Sequence, residues 1–432
     1  MNLEELIKNK KAKVAVIGLG YVGLPTAVEL AKAGFFVFGI DIKEERVNKV
    51  NQGNSYVSDV SNEELKKVLE RGNLKASSDH SLLKESDVIL ICVPTPLDKN
   101  KFPDTSYIES TANKISEYLR VGQLIILESS TYPGTTREVI LPELEKNNLE
   151  IGRDYFLAFS PERIDPGNKE YKFSDISRVV GGITEKGTKL AVSFYKSFIK
   201  GKVKAVSSPE TAEMTKILEN SFRLVNISLI NELSLLCGKM GIDIWEVIEA
   251  AKTKPYGFKA FYPSPKIGGH CIPLDPFYLS WKAREHNFWT KFIELAGEIN
   301  EQMPHYVVTR VMWFLNLHKK PVKDSKILVW GVSYKRDIGD VRESAALNII
   351  PDLIRKGAKV DFFDPHVKEM KIEEQLLNSI EYSPETLKDY DLVLIITDHS
   401  GFDYDEVAQK SNLVVDTRNA IKSRKYKNVS SW

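Results

Sequence analysis

Short unbroken apolar runs alternate along the chain with stretches whose apolar residues recur every three or four positions. That rhythm predicts buried strands separated by helices. The first run, from Lys13, leads through a glycine turn into a helix over Leu24 to Ala33, and a second strand, Phe35 to Ile40, ends at Asp41. Further strands are predicted at Asp87 to Val93, Gln123 to Glu128 and Tyr155 to Phe159. Pro209 to Met240 reads as one long helix, with Met214, Ile217, Leu218, Val225, Leu229, Leu233 and Leu236 as its apolar stripe. A second helical stretch, Thr290 to Leu317, contains Pro304, which is expected to kink or divide it. After Pro321 the strand-helix alternation restarts, with strands at Lys326 to Gly331, Lys359 to Phe363, Leu392 to Thr397 and Leu413 to Asp416, and a helix at Glu343 to Lys356. The expected class is therefore α/β: two Rossmann-like doubly wound domains, residues 1–205 and 319–432, joined by a central helical domain, residues 206–318, with a long connecting helix.

Composition narrows the possible partners. The 432 residues carry 60 basic and 59 acidic side chains, a net charge of +1. Nothing global therefore attracts nucleic acid or an anionic membrane, and an anionic ligand must be held by local groups. Val14 to Ile40 is apolar enough to suggest a membrane span. Glycines at 18, 20, 23, 34 and 39, with Glu29 and Lys32, fit a strand-turn-helix-strand better. Met1 to Lys13 is charged and lacks the apolar core of a signal peptide, so a cytoplasmic location is expected. Three cysteines without CxxC or metal-type spacing argue against a disulfide scaffold and against a bound metal.

The first turn carries the most specific pattern. Gly18, Gly20 and Gly23 follow a strand and open a helix, and an acid, Asp41, ends the next strand. The first glycine permits a tight turn, the second lets backbone approach a pyrophosphate, and the third packs helix on strand. A carboxylate at Asp41 would accept bonds from ribose hydroxyls and repel a 2′-phosphate, which favours NAD over NADP. Arg46 is open to other readings, stacking on adenine or reaching phosphate. Ligands of parallel sheets sit beyond the carboxyl ends of the strands. Three such ends are equipped: Val93-Pro94-Thr95-Pro96, Ser129-Ser130-Thr131 and Ser160-Pro161-Glu162-Arg163.

Lys216 and Asn220 stand four residues apart on the long helix and share a face, suited to a substrate oxygen or simply to solvent. Cys92 reads as core, and Cys237 as buried and inert. Cys271 lies in the glycine- and proline-flanked loop Lys266-Ile-Gly268-Gly-His270-Cys-Ile-Pro-Leu-Asp275, as a nucleophile or as a bland loop thiol. In the second α/β domain the first turn, Gly331-Val-Ser-Tyr-Lys335-Arg336-Asp337, is no dinucleotide fingerprint. Lys335, Arg336 and Arg342 gather just before a helix start, either to hold a diphosphate or as ordinary surface charge. With a hydride acceptor nearby, a thiol can trap an aldehyde and carry it through a second oxidation to an acid, using two NAD in succession.

Taken together, Val16-Ile-Gly-Leu-Gly-Tyr-Val-Gly-Leu-Pro25, Val93-Pro-Thr-Pro96, Ser160-Pro-Glu162, Lys216 with Asn220, Gly268-Gly-His-Cys-Ile-Pro-Leu-Asp275 and Gly331-Val-Ser-Tyr-Lys-Arg-Asp337 resemble the UDP-glucose/GDP-mannose dehydrogenase family over essentially the whole chain. Phe159 to Gly167 and Gly-Gly-His-Cys-Ile-Pro look like the branch that oxidises UDP-N-acetylhexosamines, with UDP-N-acetylglucosamine the first expectation for the sugar, UDP-N-acetylgalactosamine, UDP-N-acetylmannosamine or UDP-glucose as alternatives, and surface polysaccharide as the destination. The resemblance implies Cys271 as nucleophile, Lys216 and Asn220 as oxyanion partners, and Asp275 as positioning Lys216 or a water. It implies Glu162 as the hydrolytic base or its helper, and Thr131 as holding water. Gly18, Gly20, Tyr21, Val22, Gly23, Asp41, Arg46, Thr95, Ser130 and Arg342 would meet the cofactor. Arg163, Lys216, Asn220, Arg223, Lys259, Phe261, Tyr262, Gly268, His270 and Lys335 would meet the UDP-sugar. It also implies a homodimer built on the central helices.

Two departures stand out. Ile164-Asp165-Pro166 occupies the place of a second glutamate in the UDP-glucose branch, so the base is Glu162 or is shared with Asp165. Ser264 and Lys266 stand where many members carry glycines, which bears on the flexibility of the thiol loop. Two other classes remain to be tested against this one. A two-electron hydroxyacid dehydrogenase would use Lys216 and Asn220 but leave Cys271 idle, and turnover would then survive iodoacetamide. An NAD-responsive binding protein would bind nucleotide sugars without producing NADH.

Overall fold

The computed structural model describes residues 2–98, 102–165, 167–168 and 170–431. These fall into two compact units, one of residues 1–219 and 277–288, the other of 220–276 and 289–432. Two helices, Pro209–Met240 and Asp275–Glu285, run from one unit into the other.

In the first unit, β1 (Lys13–Ile17), β2 (Phe36–Ile40), β3 (Leu74–Ser77), β4 (Val88–Ile91), β5 (Gln123–Leu127), β6 (Tyr155–Phe159), β7 (Arg178–Gly182) and β8 (Val203–Ala205) form one sheet ordered β3-β2-β1-β4-β5-β6-β7-β8. The first six are parallel, β7 is antiparallel to β6, and β8 runs with β7. Alternate residues feed two cores, as the pleat requires. Val14 and Val16 join one, Ala15 and Ile17 the other.

The second unit holds β9 (Lys326–Trp330), β10 (Lys359–Phe363), β13 (Leu392–Ile395), β14 (Val414–Asp416) and β15 (Val429–Ser431) in a parallel sheet ordered β10-β9-β13-β14-β15, with β11 (Glu369–Ile372) and β12 (Gln375–Asn378) as a separate antiparallel pair. Ile327 and Val329 face one core, Leu328 and Trp330 the other. The expected strands are all present, with ends moved by a few residues at most. β3, β7, β8, β11, β12 and β15 were not anticipated, being short and mostly without a continuous apolar run.

Three expectations are corrected. Pro304 does not divide its helix, which is continuous over Lys291–Leu317. Most of the stripe on the long helix is not packed: Leu218, Leu229, Leu233 and Leu236 are 61%, 47%, 38% and 51% exposed, although Ile217 is buried. Its buried positions also include Glu213, Lys216, Asn220, Ser228, Asn231 and Ser234, and neighbouring groups meet most of their polar atoms, as the Ala296 carbonyl meets Ser228 Oγ at 2.8 Å, while Asn231 Nδ2 is left without a partner. Cys237 is half-exposed, not sealed. No helix among the described residues is long and apolar enough to cross a membrane.

Candidate active site

At the end of β1 the chain turns at Gly18 with φ +91°, a conformation only glycine adopts without strain. Its N–H donates to the Ile40 carbonyl at 2.7 Å, and a Cβ there would stand 2.6 Å from the Cys92 carbonyl oxygen. A Cβ on Gly23 would meet the Gly18 oxygen at 1.8 Å, so helix Gly23–Lys32 packs directly on the turn. Gly20 has no heavy atom within 4 Å of such a Cβ, which leaves bare backbone facing open space. This is the cradle a pyrophosphate needs, so the residues present fit a dinucleotide. Asp41 is buried; Oδ2 accepts the Leu19 N–H and Oδ1 the Lys43 N–H, both at 2.9 Å, with Arg46 Nη1 at 3.3 Å from Oδ2. Tyr56, which no sequence pattern singled out, donates to the Leu19 carbonyl at 2.7 Å and lies under Arg46.

Beyond the other strand ends, Thr95 Oγ1 donates to the Ser130 carbonyl at 2.7 Å, and Tyr278 donates to the Thr95 carbonyl. Thr131 is buried with its hydroxyl against that of Thr135. Lys216 and Glu162 are brought together: Nζ donates to the Glu162 carbonyl at 2.6 Å and lies 3.5 Å from Oε2, and both side chains are buried. Asp165 is exposed and accepts Asn168 Nδ2 at 3.1 Å. Arg163 bonds the Ser177 carbonyl and the carboxylate of Glu219.

Behind Glu162 lies a buried cluster that sequence reasoning missed. Tyr195 donates to Glu128 Oε1 at 2.5 Å, the Cys92 thiol lies 3.7 Å from Oε2, and Arg178 Nη1 reaches the Pro161 carbonyl at 3.3 Å. Burial pushes the Glu128 carboxyl up against the opposing pull of Arg178 and Tyr195. Burial likewise pushes the Cys92 thiol up, with Glu128 beside it. Glu213, one turn before Lys216, accepts the Gly134 N–H at 2.6 Å and the Thr136 N–H at 2.9 Å, pinning the start of the long helix to the loop after β5. Burial raises its carboxyl to about 7 despite those donors.

In the second unit Asn220 Nδ2 donates to Asp275 Oδ2 at 2.6 Å, and both are buried. The Asp275 N–H in turn donates to the Cys271 carbonyl at 2.8 Å, and the Leu274 N–H to the same oxygen at 3.1 Å. Cys271, half-buried, is thus fixed one turn ahead of helix Asp275–Glu285. The loop before it is clamped. Ser264 N–H donates to Asn231 Oδ1 at 2.8 Å, Ile267 N–H to Asn300 Oδ1 at 2.7 Å, and Gly269 N–H to the Arg342 carbonyl at 3.1 Å. Gly268 leaves no room for a side chain, since a Cβ would sit 2.6 Å from that of Tyr334.

Arg342 forms a fork on Asp340 and approaches His270 Nδ1 at 3.4 Å. Lys335 is half-buried beside Ser333, whose hydroxyl bonds its carbonyl. Phe261 packs edge-on against Phe222, with Lys259 Nζ 5.9 Å from its ring; Tyr262 stacks on Trp245 and donates to Glu249 at 2.8 Å. Arg223 is exposed. One group has no counterpart in the sequence reading: Asp337, His366 and His399 offer ligand atoms within 4.8 Å of one another. His399 is already engaged at both nitrogens, accepting the Asp337 N–H at 3.0 Å and facing Asp364 Oδ2 at 3.0 Å.

Three family models match in order: the NAD binding domain of the UDP-glucose/GDP-mannose dehydrogenase family over residues 12–199, its central domain over 210–302 and its UDP binding domain over 328–423. A UDP-N-acetyl-D-mannosamine dehydrogenase of Pyrococcus horikoshii is 37% identical over 421 residues, covering 95% of this chain and 96% of that one. A UDP-N-acetyl-D-glucosamine 6-dehydrogenase of Pseudomonas aeruginosa is 37% identical over 359 residues, covering 83% and 84%. A solved structure of the UDP-D-ManNAc dehydrogenase from Pyrococcus horikoshii superposes with a TM-score of 0.88 at 33% identity, over 97% of this chain and 98% of that one. A fingerprint turn with room for a pyrophosphate and a whole-length match to all three models lead to one conclusion: this chain belongs to the UDP-glucose/GDP-mannose dehydrogenase family, and its cofactor is NAD.

Proposed function

We propose that the chain oxidises C6 of a UDP-N-acetylhexosamine to the carboxylate in two successive steps, with Cys271 holding the sugar between them. Bound NAD supplies the hydride acceptor for each oxidation. The C6 hydroxyl loses its proton as carbon gives up the first hydride, and the resulting oxygen is stabilised by the Lys216 ammonium and the Asn220 amide. The Cys271 sulfur then bonds to C6 as a thiohemiacetal. Loss of the second hydride leaves a thioester, and water attacks C6, breaking the C–S bond and releasing the acid and the free thiol. Glu162, beside Lys216, serves as base for that water, with Thr131 holding it. Asp275 orients Asn220. Residues 1–205 hold the cofactor, 206–318 carry the chemistry, and 319–432 take the UDP moiety through Lys335 and reach toward the cofactor through Arg342, with Lys259, Phe261 and Tyr262 at the sugar.

The observation that carries this reading is the chain of bonds from Asn220 through Asp275 to the Cys271 turn, on the helix face that also bears Lys216. Among sugars, UDP-N-acetylmannosamine is placed first, because relatives bearing that name align over the whole chain; UDP-N-acetylglucosamine, the expectation from motifs, is second. A homodimer is part of the proposal: the exposed Leu229, Leu233, Leu236 and Met240 form an apolar face for a second copy to cover.

Incubation with UDP-glucose and the three UDP-N-acetylhexosamines tests the activity. The expected result is two NADH per sugar consumed. Cys271→Ser should lose acid formation on the order of 10³-fold, about 4 kcal/mol of transition-state stabilisation. One NADH per sugar, with an aldehyde or ketone as product, would overturn it.

A further inference from the structure

The thiol loop contains a lysine that nothing in the chemistry above uses. Lys266 is only 6% exposed, five residues before Cys271. Its Nζ lies 3.0 Å from Asn348 Oδ1, 3.3 Å from Glu301 Oε2 and 3.7 Å from Glu343 Oε2. These partners come from three places: Glu301 from helix Lys291–Leu317, Asn348 from helix Ala346–Arg355, and Glu343 from the segment between β9 and that helix. Glu343 holds a φ of +53°, unusual for a residue with a side chain, and its carbonyl oxygen would stand 2.9 Å from a Cβ on Gly268. A buried ammonium without partners is costly, whereas one shared by two carboxylates and an amide fixes all of them at once.

We propose that Lys266 is a positioning residue, an ionic pin that fastens the Cys271 loop simultaneously to helix Lys291–Leu317 and to the strand-helix segment of the second sheet. The inference rests on the thiol reading above. It also gives a direction to the departure at this position: a side chain in place of glycine stiffens the loop. Neighbouring anchors at Ile267 and Gly269 restrain the backbone through single N–H groups, while the ammonium ties together the side chains of three separate segments. A reacting atom displaced by about 1 Å can lose on the order of a hundredfold in rate, so removing the pin is expected to act on turnover more than on binding.

The test compares Lys266→Met, Lys266→Arg and the double variant Glu301→Gln/Glu343→Gln in the full-length protein. Steady-state kinetics are run beside the rate of Cys271 alkylation by iodoacetamide, followed by mass spectrometry. The expected result for Lys266→Met is a fall in kcat of about 10-fold or more with KM within about threefold, and an altered alkylation rate. Lys266→Arg should recover most of both, and the double variant should follow Lys266→Met, which keeps the test open if the latter folds poorly. A kcat and alkylation rate within about twofold of wild type would overturn the proposal, as would a kcat loss that only tracks the fraction of unfolded protein. NADH stoichiometry of the wild type and of Cys271→Ser judges the thiol reading separately, so the two can fail independently.

Discussion

The first strands of the two sheets end in the same way. Gly18 after β1 and Gly331 after β9 both have positive φ, +91° and +76°, and both lie against the carbonyl that follows a neighbouring strand, Cys92 or Thr397. Gly18 N–H donates to the Ile40 carbonyl, and Gly331 N–H to that of Phe363, at 2.7 and 2.8 Å. The next N–H in each turn donates to an acid at the end of the second strand, Leu19 to Asp41 at 2.9 Å and Val332 to Asp364 at 2.7 Å. From there the two diverge. After Gly18 the helix begins within five residues, at Gly23, whereas after Gly331 the next helix waits until Ala346. Asp41 is bound by backbone and by a half-exposed arginine; Asp364 is buried against His399. One turn scaffold thus serves a bare helix N-terminus in the first sheet and a long charged loop, with three basic and three acidic residues, in the second.

The comparison is broken most forcefully at the glycines. Alanine at either would need the left-handed conformation and would collide with backbone, an expected cost above about 3 kcal/mol. Gly18→Ala should weaken NAD binding at least about 100-fold while UDP binding stays within a fewfold, and Gly331→Ala should do the reverse, as read by calorimetry. Loss of both ligands in either variant would mean the turns are not independent.

A next effect separates the units by pH. Burial lifts Glu213 from 4.5 to about 7, so the folded chain holds this proton more tightly than the unfolded one. Its contribution is complete below about 4.5 and fades as pH rises through 7, roughly 3 kcal/mol in all. Burial opposes ionisation of Asp364 too, but the His399 bond and the backbone donors prevail and hold its carboxyl low. That contribution is present above about pH 3.9 and fades below it. Hydrogen exchange resolved by segment should therefore find residues 130–136 and 209–219 loosening from pH 5 to 8, and β9 and β10 loosening only in acid. Glu213→Gln should flatten the first trend.

The smallest effect compares the acids. Asp364→Asn should cost about 2 kcal/mol in urea unfolding, because the carboxylate serves four backbone N–H groups and a buried imidazole. Asp41→Asn should cost about 1 kcal/mol, and should narrow the preference for NAD over NADP.

Much of this was legible in the chain. Asp41, the glycine turn and the long helix follow from local periodicity and from residues a few positions apart. The Gly331 turn shows no dinucleotide fingerprint in sequence, only Lys335, Arg336 and Arg342 near a helix start, because its likeness to the first lies in backbone bonds to Phe363, Asp364 and Thr397, far along the sequence. Glu128, Arg178, Tyr195 and Glu213 escaped notice for the same reason, since a polar side chain in a strand, a helix or a turn looks solvated until its distant partner is known. The leucines of the long helix misled most. Periodicity locates an apolar face but not what covers it, and within one chain the packed face is the one rich in serine and asparagine.

The three sulfurs have a practical consequence for anyone wishing to watch the protein work. Cys92 is sealed beside Glu128, its thiol held in the unreactive protonated form, while Cys237 and Cys271 remain partly open. A Cys237→Ala chain would present a single addressable sulfur, so a small fluorophore or spin label could be attached to the loop itself. Such a reporter would follow the arrival of nucleotides as a spectral change, without any catalytic turnover.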